Sequence, residues 1–139
     1  MNSFCVSFSV GLLIIVVVSG APKTYEENLA ILKKVELKDI LKNTRIMRAY
    51  IDCVVHNTHC TPEGIALKES WKEFLDKKCD TCDDEAKNNV QIITKYIYTK
   101  QPDWYKEIID ALDADKKYTT MYQADFERIA NDPTIEIPL

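Results

Sequence analysis

An all-α fold is what this sequence predicts. Three observations carry the prediction: apolar residues recur at three- to four-residue spacing through most of the chain, no sustained strand-type alternation appears before the last few residues, and Gly64 is the only glycine after position 20. The same scarcity of glycine argues against phosphate-cradling loops and against left-handed turns.

The chain begins with Val10 to Val18, an apolar run broken only by Gly11. Such a run is too short to span a bilayer. Ser19-Gly20 then offers small residues, and a stretch rich in Lys and Glu follows. This is the pattern of a secretory signal peptide over residues 1–20, cleaved after Gly20. Of 139 residues, 119 remain, enough for one domain over 21–139 with a single modest core.

The elements are predicted in order. A short helical segment lies around Leu37 to Leu41. Asn43 can cap a helix whose stripe is Ile46, Met47, Tyr50, Ile51, Val54 and Val55, with Cys53 on its last turn. Thr61-Pro62-Glu63 supplies a cap, a proline at the first helical position and an early acid, opening a helix with Leu67, Trp71, Phe74 and Leu75 on one face and an end near Lys77-Lys78. Asp83 or Asp84 starts the next, where Val90, Ile93 and Ile97 line one side, Ile92 and Tyr96 widen it, and Lys100 suits the C-terminal dipole. Pro102 begins a helix with Trp104, Tyr105, Ile108, Ile109 and Leu112. After a turn over Asp113 to Lys116, the last helix carries Tyr118, Tyr122 and Phe126 four residues apart, then Ile129, before Asn131-Asp132-Pro133 ends it. About six short amphipathic helices must therefore share one interior. Its many tyrosines suit a cavity that holds an amphiphile, because a buried phenol still wants a hydrogen-bond partner.

All 18 basic and 22 acidic residues follow the leader, interspersed in sign, for a formal charge of −4. That surface favours solubility and shows no basic stripe for nucleic acid. No partner of that kind is expected, nor membrane insertion once the leader is removed. Two histidines, His56 and His59, no nucleophile elbow and no metalloprotease motif make a poor inventory for an enzyme.

Cys5 lies in the leader, which leaves Cys53, Cys60, Cys79 and Cys82, an even set that reads as two disulfides in an oxidising compartment. Three pairings are open. Loop length favours neighbours, each bridge adding roughly 2 kcal/mol by loop entropy. A zinc site fits poorly, since six residues separate Cys53 from Cys60 and secreted thiols oxidise before they collect metal. A redox-active pair fits poorly too, because Asp80, Asp83, Asp84 and Glu85 surround Cys79 and Cys82 with charge that raises a thiol pKa.

The frame Cys53-x6-Cys60-x18-Cys79-x2-Cys82 resembles that of the insect chemosensory proteins, the OS-D-like family. The resemblance extends to Tyr50-x-x-Cys53, Cys60-Thr61-Pro62-Glu63-Gly64 with Leu67-Lys68, Lys95-Tyr96-Ile97, Pro102, Lys106-Glu107 and Tyr118-x3-Tyr122, and runs from about Val35 to Ile129. It implies six helices around an apolar channel, bridges between adjacent cysteines, and a secreted, extracellular carrier of semiochemicals or fatty-acid-like ligands with no catalysis and no cofactor. The channel aromatics it implies fall on Tyr50, Tyr118 and Tyr122. The family's tryptophan after the proline falls, without gaps, on Tyr105, with Trp104 one position earlier.

Ile46 and Ile97 complete the expected ligand-binding set, and a monomer is expected. Two departures stand out: the family's Asp-Pro-x-Gly turn is Asp113-Ala114-Asp115-Lys116 here, and its Tyr-rich N-terminal segment is reduced to Tyr25. With no charge placed in the channel, affinity is expected to follow chain length more than head group. The alternative is a secreted developmental, regeneration-associated or structural protein of the same fold whose ligand binding is incidental.

Overall fold

In a computed structural model, residues 23–139 are described and are all-α, with no strand among them. The leader over 1–20 and its cleavage point lie outside the described residues. Among the described residues there are seven helices where the sequence pattern predicts six: α1 Tyr25–Leu32, α2 Leu37–Lys42, α3 Thr44–His56, α4 Pro62–Asp76, α5 Asp84–Lys100, α6 Pro102–Leu112 and α7 Lys117–Asn131.

Caps set most boundaries. Asn43 Oδ1 accepts from the amides of Arg45 and Ile46, Thr61 Oγ1 from Gly64, and Asp83 Oδ1 from Ala86. Pro62 and Pro102 stand at the first positions of α4 and α6, where a missing N–H costs nothing. The additional helix α1 is opened by a capping box, Thr24 with Glu27. It lies on α4, where the buried small residues Ala66 and Ser70 permit close approach. Asn28 donates to Glu69 at 3.2 Å, the Lys77 ammonium sits 4.5 Å above the Tyr25 ring, and Lys33 pairs with Asp83 at 2.6 Å.

Left-handed turns, not expected from the glycine count, are nonetheless used. Asn57, His59, Lys78, Cys79 and Lys116 all have φ between 52° and 61°. The first four belong to the two cysteine corners, where Cys53 is bonded to Cys60 and Cys79 to Cys82. The neighbour pairing is therefore present. Each covalent ring holds a conformation that costs a non-glycine residue roughly 1–2 kcal/mol.

The one glycine among the described residues serves a different purpose. Gly64 lies in the first turn of α4 against the fully buried Cys53, and a Cβ built there would meet Cys53 Sγ at 3.1 Å and Cβ at 3.3 Å. Hydrogen at that position lets α4 close on α3. Gly64→Val is expected to lower unfolding free energy by about 1–3 kcal/mol through overpacking, read as a lower denaturant midpoint with an unchanged slope.

The buried core gathers Leu41, Met47, Ile51, Ile92, Tyr96, Ile129 and Ile135, with Leu37, Ile40, Val55, Ile97, Trp104, Ile108 and Ile137 packed against it. These residues come from α2, α3, α5, α6, α7 and the C-terminal segment. The Lys95 ammonium holds that segment down by donating to the carbonyls of Asp132 (2.6 Å) and Ile135 (2.9 Å). Around the interior, α4 packs on α3, α3 on α6, α6 on α5 and α5 on α7, while α2 lies on α3.

Candidate functional site

Tyr118, Tyr122 and Phe126 follow at four-residue spacing and so share one face of α7. The Phe126 ring stacks on Tyr122 at 5.9 Å and meets Tyr105 of α6 at 6.2 Å and Tyr98 of α5 at 6.3 Å. Tyr98 and Tyr105 are edge-to-face at 5.0 Å. Next to this group, Tyr118 takes an edge-to-face contact with Trp71 of α4 at 5.8 Å. Three helices thus contribute one aromatic wall, extended by a ring from a fourth. Tyr98, Tyr105, Tyr122, Phe126 and Trp71 are only half-buried, as are Phe74 and Leu75, and α6 has no fully buried residue. These side chains pack on one another between the helices while keeping some contact with solvent.

The polar tips are accounted for at the α4 side. Tyr118 Oη donates to Asp76 Oδ1 at 2.9 Å, Lys117 Nζ binds the same oxygen at 2.9 Å, and Tyr122 Oη donates to the Leu75 carbonyl. A carboxylate therefore stands at the edge of the wall, where no charge was expected. Lys117 and Tyr118 hold the Asp76 carboxyl below its ordinary range. Burial pushes the Tyr105 phenol up, helped by Tyr98 and Asp113, and burial likewise pushes up Tyr122. Both stay neutral, and Tyr122 donates.

The expected ligand-binding residues fall in three places. Tyr105, Tyr118 and Tyr122 belong to the aromatic wall or adjoin it. Trp104 and Ile97 pack on the buried core, with the Arg48 guanidinium 5.6 Å from the Trp104 ring. Tyr50 and Ile46 line a separate 260 Å³ pocket with Ala49, His59, Thr61 and Glu63. Adjacent residues on a helix point about 100° apart, so Trp104 and Tyr105 face different neighbours. Sequence reasoning left Tyr98 and Phe126 out of the set, and Trp71 with them. Phe126 was legible as the next step of the Tyr118 stripe. Tyr98 was not, because it lies about 200° around α5 from Tyr96, off the stripe that marks the core.

A second cluster joins α3 to α6. Arg48 makes a bidentate pair with Glu107, both contacts 2.7 Å, and a further bond to Asp52 at 2.8 Å; His56 Nε2 approaches Glu107 at 2.6 Å. Arg48 first, then His56, holds the Glu107 carboxyl down to about 2. Donor atoms of Asp52, His56 and Glu107 lie within 4.8 Å of one another, a spacing open to a metal ion. The Arg48 guanidinium already bridges both carboxylates, so the cluster is built as an interhelical clamp. Over it runs an open groove of 540 Å³ lined by Val55, Asp103, Lys106, Asp110 and Ala111 as well as His56 and Glu107. Among the described residues no helix is long and apolar enough to cross a membrane.

Comparison with known proteins adds identity to this geometry. Residues 30–120 match the family described as "Insect pheromone-binding family, A10/OS-D". The chain is 32% identical over 93 residues to "Ejaculatory bulb-specific protein 3" of Drosophila melanogaster, covering 67% of this chain and 74% of that one. To "Allergen Tha p 1" of Thaumetopoea pityocampa it is 23% identical over 95 residues, covering 68% and 75%. No solved structure matches. With a family match across most of the helical region and two disulfides closing adjacent cysteines, this chain belongs to the A10/OS-D insect pheromone-binding family.

Proposed function

We propose that this protein is a secreted, monomeric carrier that holds a small hydrophobic molecule against its aromatic wall and performs no chemistry on it. The observation that carries the reading is the partly buried cluster of Tyr98, Tyr105, Tyr122 and Phe126, contributed by three helices and made of none of the residues of the buried core cluster. Membership of a family described as pheromone-binding supports it. Burying a methylene contributes about 0.8 kcal/mol, so a dozen give a gross gain near 10 kcal/mol. Lost ligand freedom and cavity opening remove at least about 4 kcal/mol, leaving about 6 kcal/mol, or a Kd in the tens of micromolar for a dozen methylenes.

The test is displacement of an apolar fluorophore by saturated ligands of increasing chain length. Affinity is expected to rise from about twelve carbons upward, by up to fourfold per methylene. Failure of every ligand to displace the dye, or affinities flat with length, would sink the carrier reading.

Secretion has its own test. The extracellular protein is expected to begin at Ala21 with no alkylatable thiol before reduction, as the 1–20 pattern and the two bridges require. An intact mass that retains residues 1–20 would contradict it.

A further inference from the structure

We propose that ligands reach the interior through the seam between α4 and α7, and that the tyrosine hydroxyls spanning this seam are its latch. The proposal rests on the carrier reading. From α4 the helices pack in the series α4, α3, α6, α5, α7, and closing that ring would require α7 to pack on α4. Their backbones approach less closely than those of any neighbours in the series. Side-chain tips cross the gap instead: Tyr118 and Lys117 reach Asp76, and Tyr122 reaches the Leu75 carbonyl.

The other junctions are made differently. The α3–α4 junction carries the Cys53–Cys60 corner and the close approach at Gly64. The Arg48–Glu107 clamp joins α3 to α6, and buried Ile92, Tyr96 and Ile129 join α5 to α7. No residue of α1 or α4 belongs to the buried core cluster. The α1–α4 pair is thus a flap fixed along α3, tied to the start of α5 by the exposed Lys33–Asp83 pair and fastened at its α7 edge by the Trp71–Tyr118 ring contact and hydrogen bonds, each of modest net strength in water. The Asp76–Lys117 pair has both side chains about half exposed (49% and 50%), where screening leaves little attraction.

Behind the latch lies the wall itself. Tyr122, whose hydroxyl fastens the flap, stacks directly on Phe126, which touches Tyr98 and Tyr105. An apolar chain passing the seam therefore meets the aromatic surface at once. Releasing the two hydroxyls and parting the Trp71–Tyr118 ring contact opens the seam while leaving the buried core cluster in place.

Stopped-flow binding of Nile red to the mature protein tests the latch. Tyr118→Phe and Tyr122→Phe keep the rings and remove the hydroxyls. Association and dissociation rates are expected to rise together, by about fivefold per hydroxyl, while Kd stays within about twofold. Tyr25→Phe, which removes a hydroxyl that has no partner on the same flap, should leave both rates as they are. Should the double variant not fold, Asp76→Ala removes the acceptor of both Tyr118 and Lys117 from an exposed position and should raise both rates about fivefold, the Tyr122–Leu75 bond remaining.

Wild-type binding with both rates unchanged in these variants would overturn the proposal. So would a change confined to dissociation, which would make the hydroxyls ligand contacts. If the wild type takes up no dye, it is the carrier reading that fails.

Discussion

Replacing Asp113 by alanine is expected to cost the fold about 3 kcal/mol, because a cap contributes up to about 2 kcal/mol and an unpaired buried amide costs about 1–3 kcal/mol more. Asp113 is 3% exposed, and its carboxylate accepts from the amides of Tyr118 (3.0 Å) and Thr119 (2.7 Å) and from the Thr119 hydroxyl (2.6 Å). It does for α7 what no residue at the N-cap position does, since Lys116 makes no side-chain cap bond. Burial acts to raise the Asp113 pKa, but the Thr119 hydroxyl, the two amides and nearby Lys116 outweigh it and hold the carboxyl below its ordinary value.

The pH dependence follows in sign. A carboxyl whose folded pKa is depressed adds stability that is complete above the unfolded value, about pH 4, and is lost as pH falls through the folded pKa. Asp113→Asn should therefore flatten the fall in stability below pH 4, while Asp113→Ala should lower stability at neutral pH as well. Denaturant titrations at pH 7 and pH 3 measure both. A loss of under about 0.5 kcal/mol for Asp113→Ala relative to wild type at neutral pH would show that water replaces the cap.

Tyr122→Ala is the second large expected effect, and it should appear in binding. Removing a ring that stacks on Phe126 and fastens to α4 is expected to weaken apolar ligands at least tenfold. Thermal stability should fall by less than the roughly 3–5 kcal/mol typical of a fully buried aromatic, because Tyr122 is half-buried. Loss of stability in that full range with ligand affinity unchanged would make the residue ordinary core and remove it from the site. Circular dichroism melts and fluorophore displacement, run on one preparation, separate the two outcomes.

Much of the architecture could be read from local chemistry. Asn43, Thr61 and Asp83 are capping residues in front of periodic apolar stripes, and all three cap as their residue types predict. The adjacent cysteine pairs follow from short loops, and they are present. What escaped lies where tertiary context decides. The capping box of α1, Thr24 with Glu27, was visible, but its helix buries Tyr25 and Asn28 and so lacks the apolar stripe that advertises a helix.

Left-handed residues escaped for a related reason. Glycine is the usual signal for them, and here Asn57 and His59 lie inside the Cys53–Cys60 ring, Cys79 is itself a bridge residue and Lys78 directly precedes it. At the site, periodicity marks which face of α7 turns inward but carries no information about which neighbour it meets. Tyr105 joins Phe126 while Tyr50 lies apart, a distinction set by helix packing.

The corner position of the disulfides also bears on how the chain matures. Each bridge joins cysteines separated by three or seven residues, so neither ties together elements distant in sequence. Cys60 finds Cys53 across seven residues but would find Cys79 across nineteen, a difference of roughly fourfold in closure probability for flexible chain. Oxidation is thereby steered to the native partners before the helices assemble. Apart from the α3–α4 junction, the helix pairs are held by packing and side-chain bonds, so the bridges can close locally whether or not those pairs have formed.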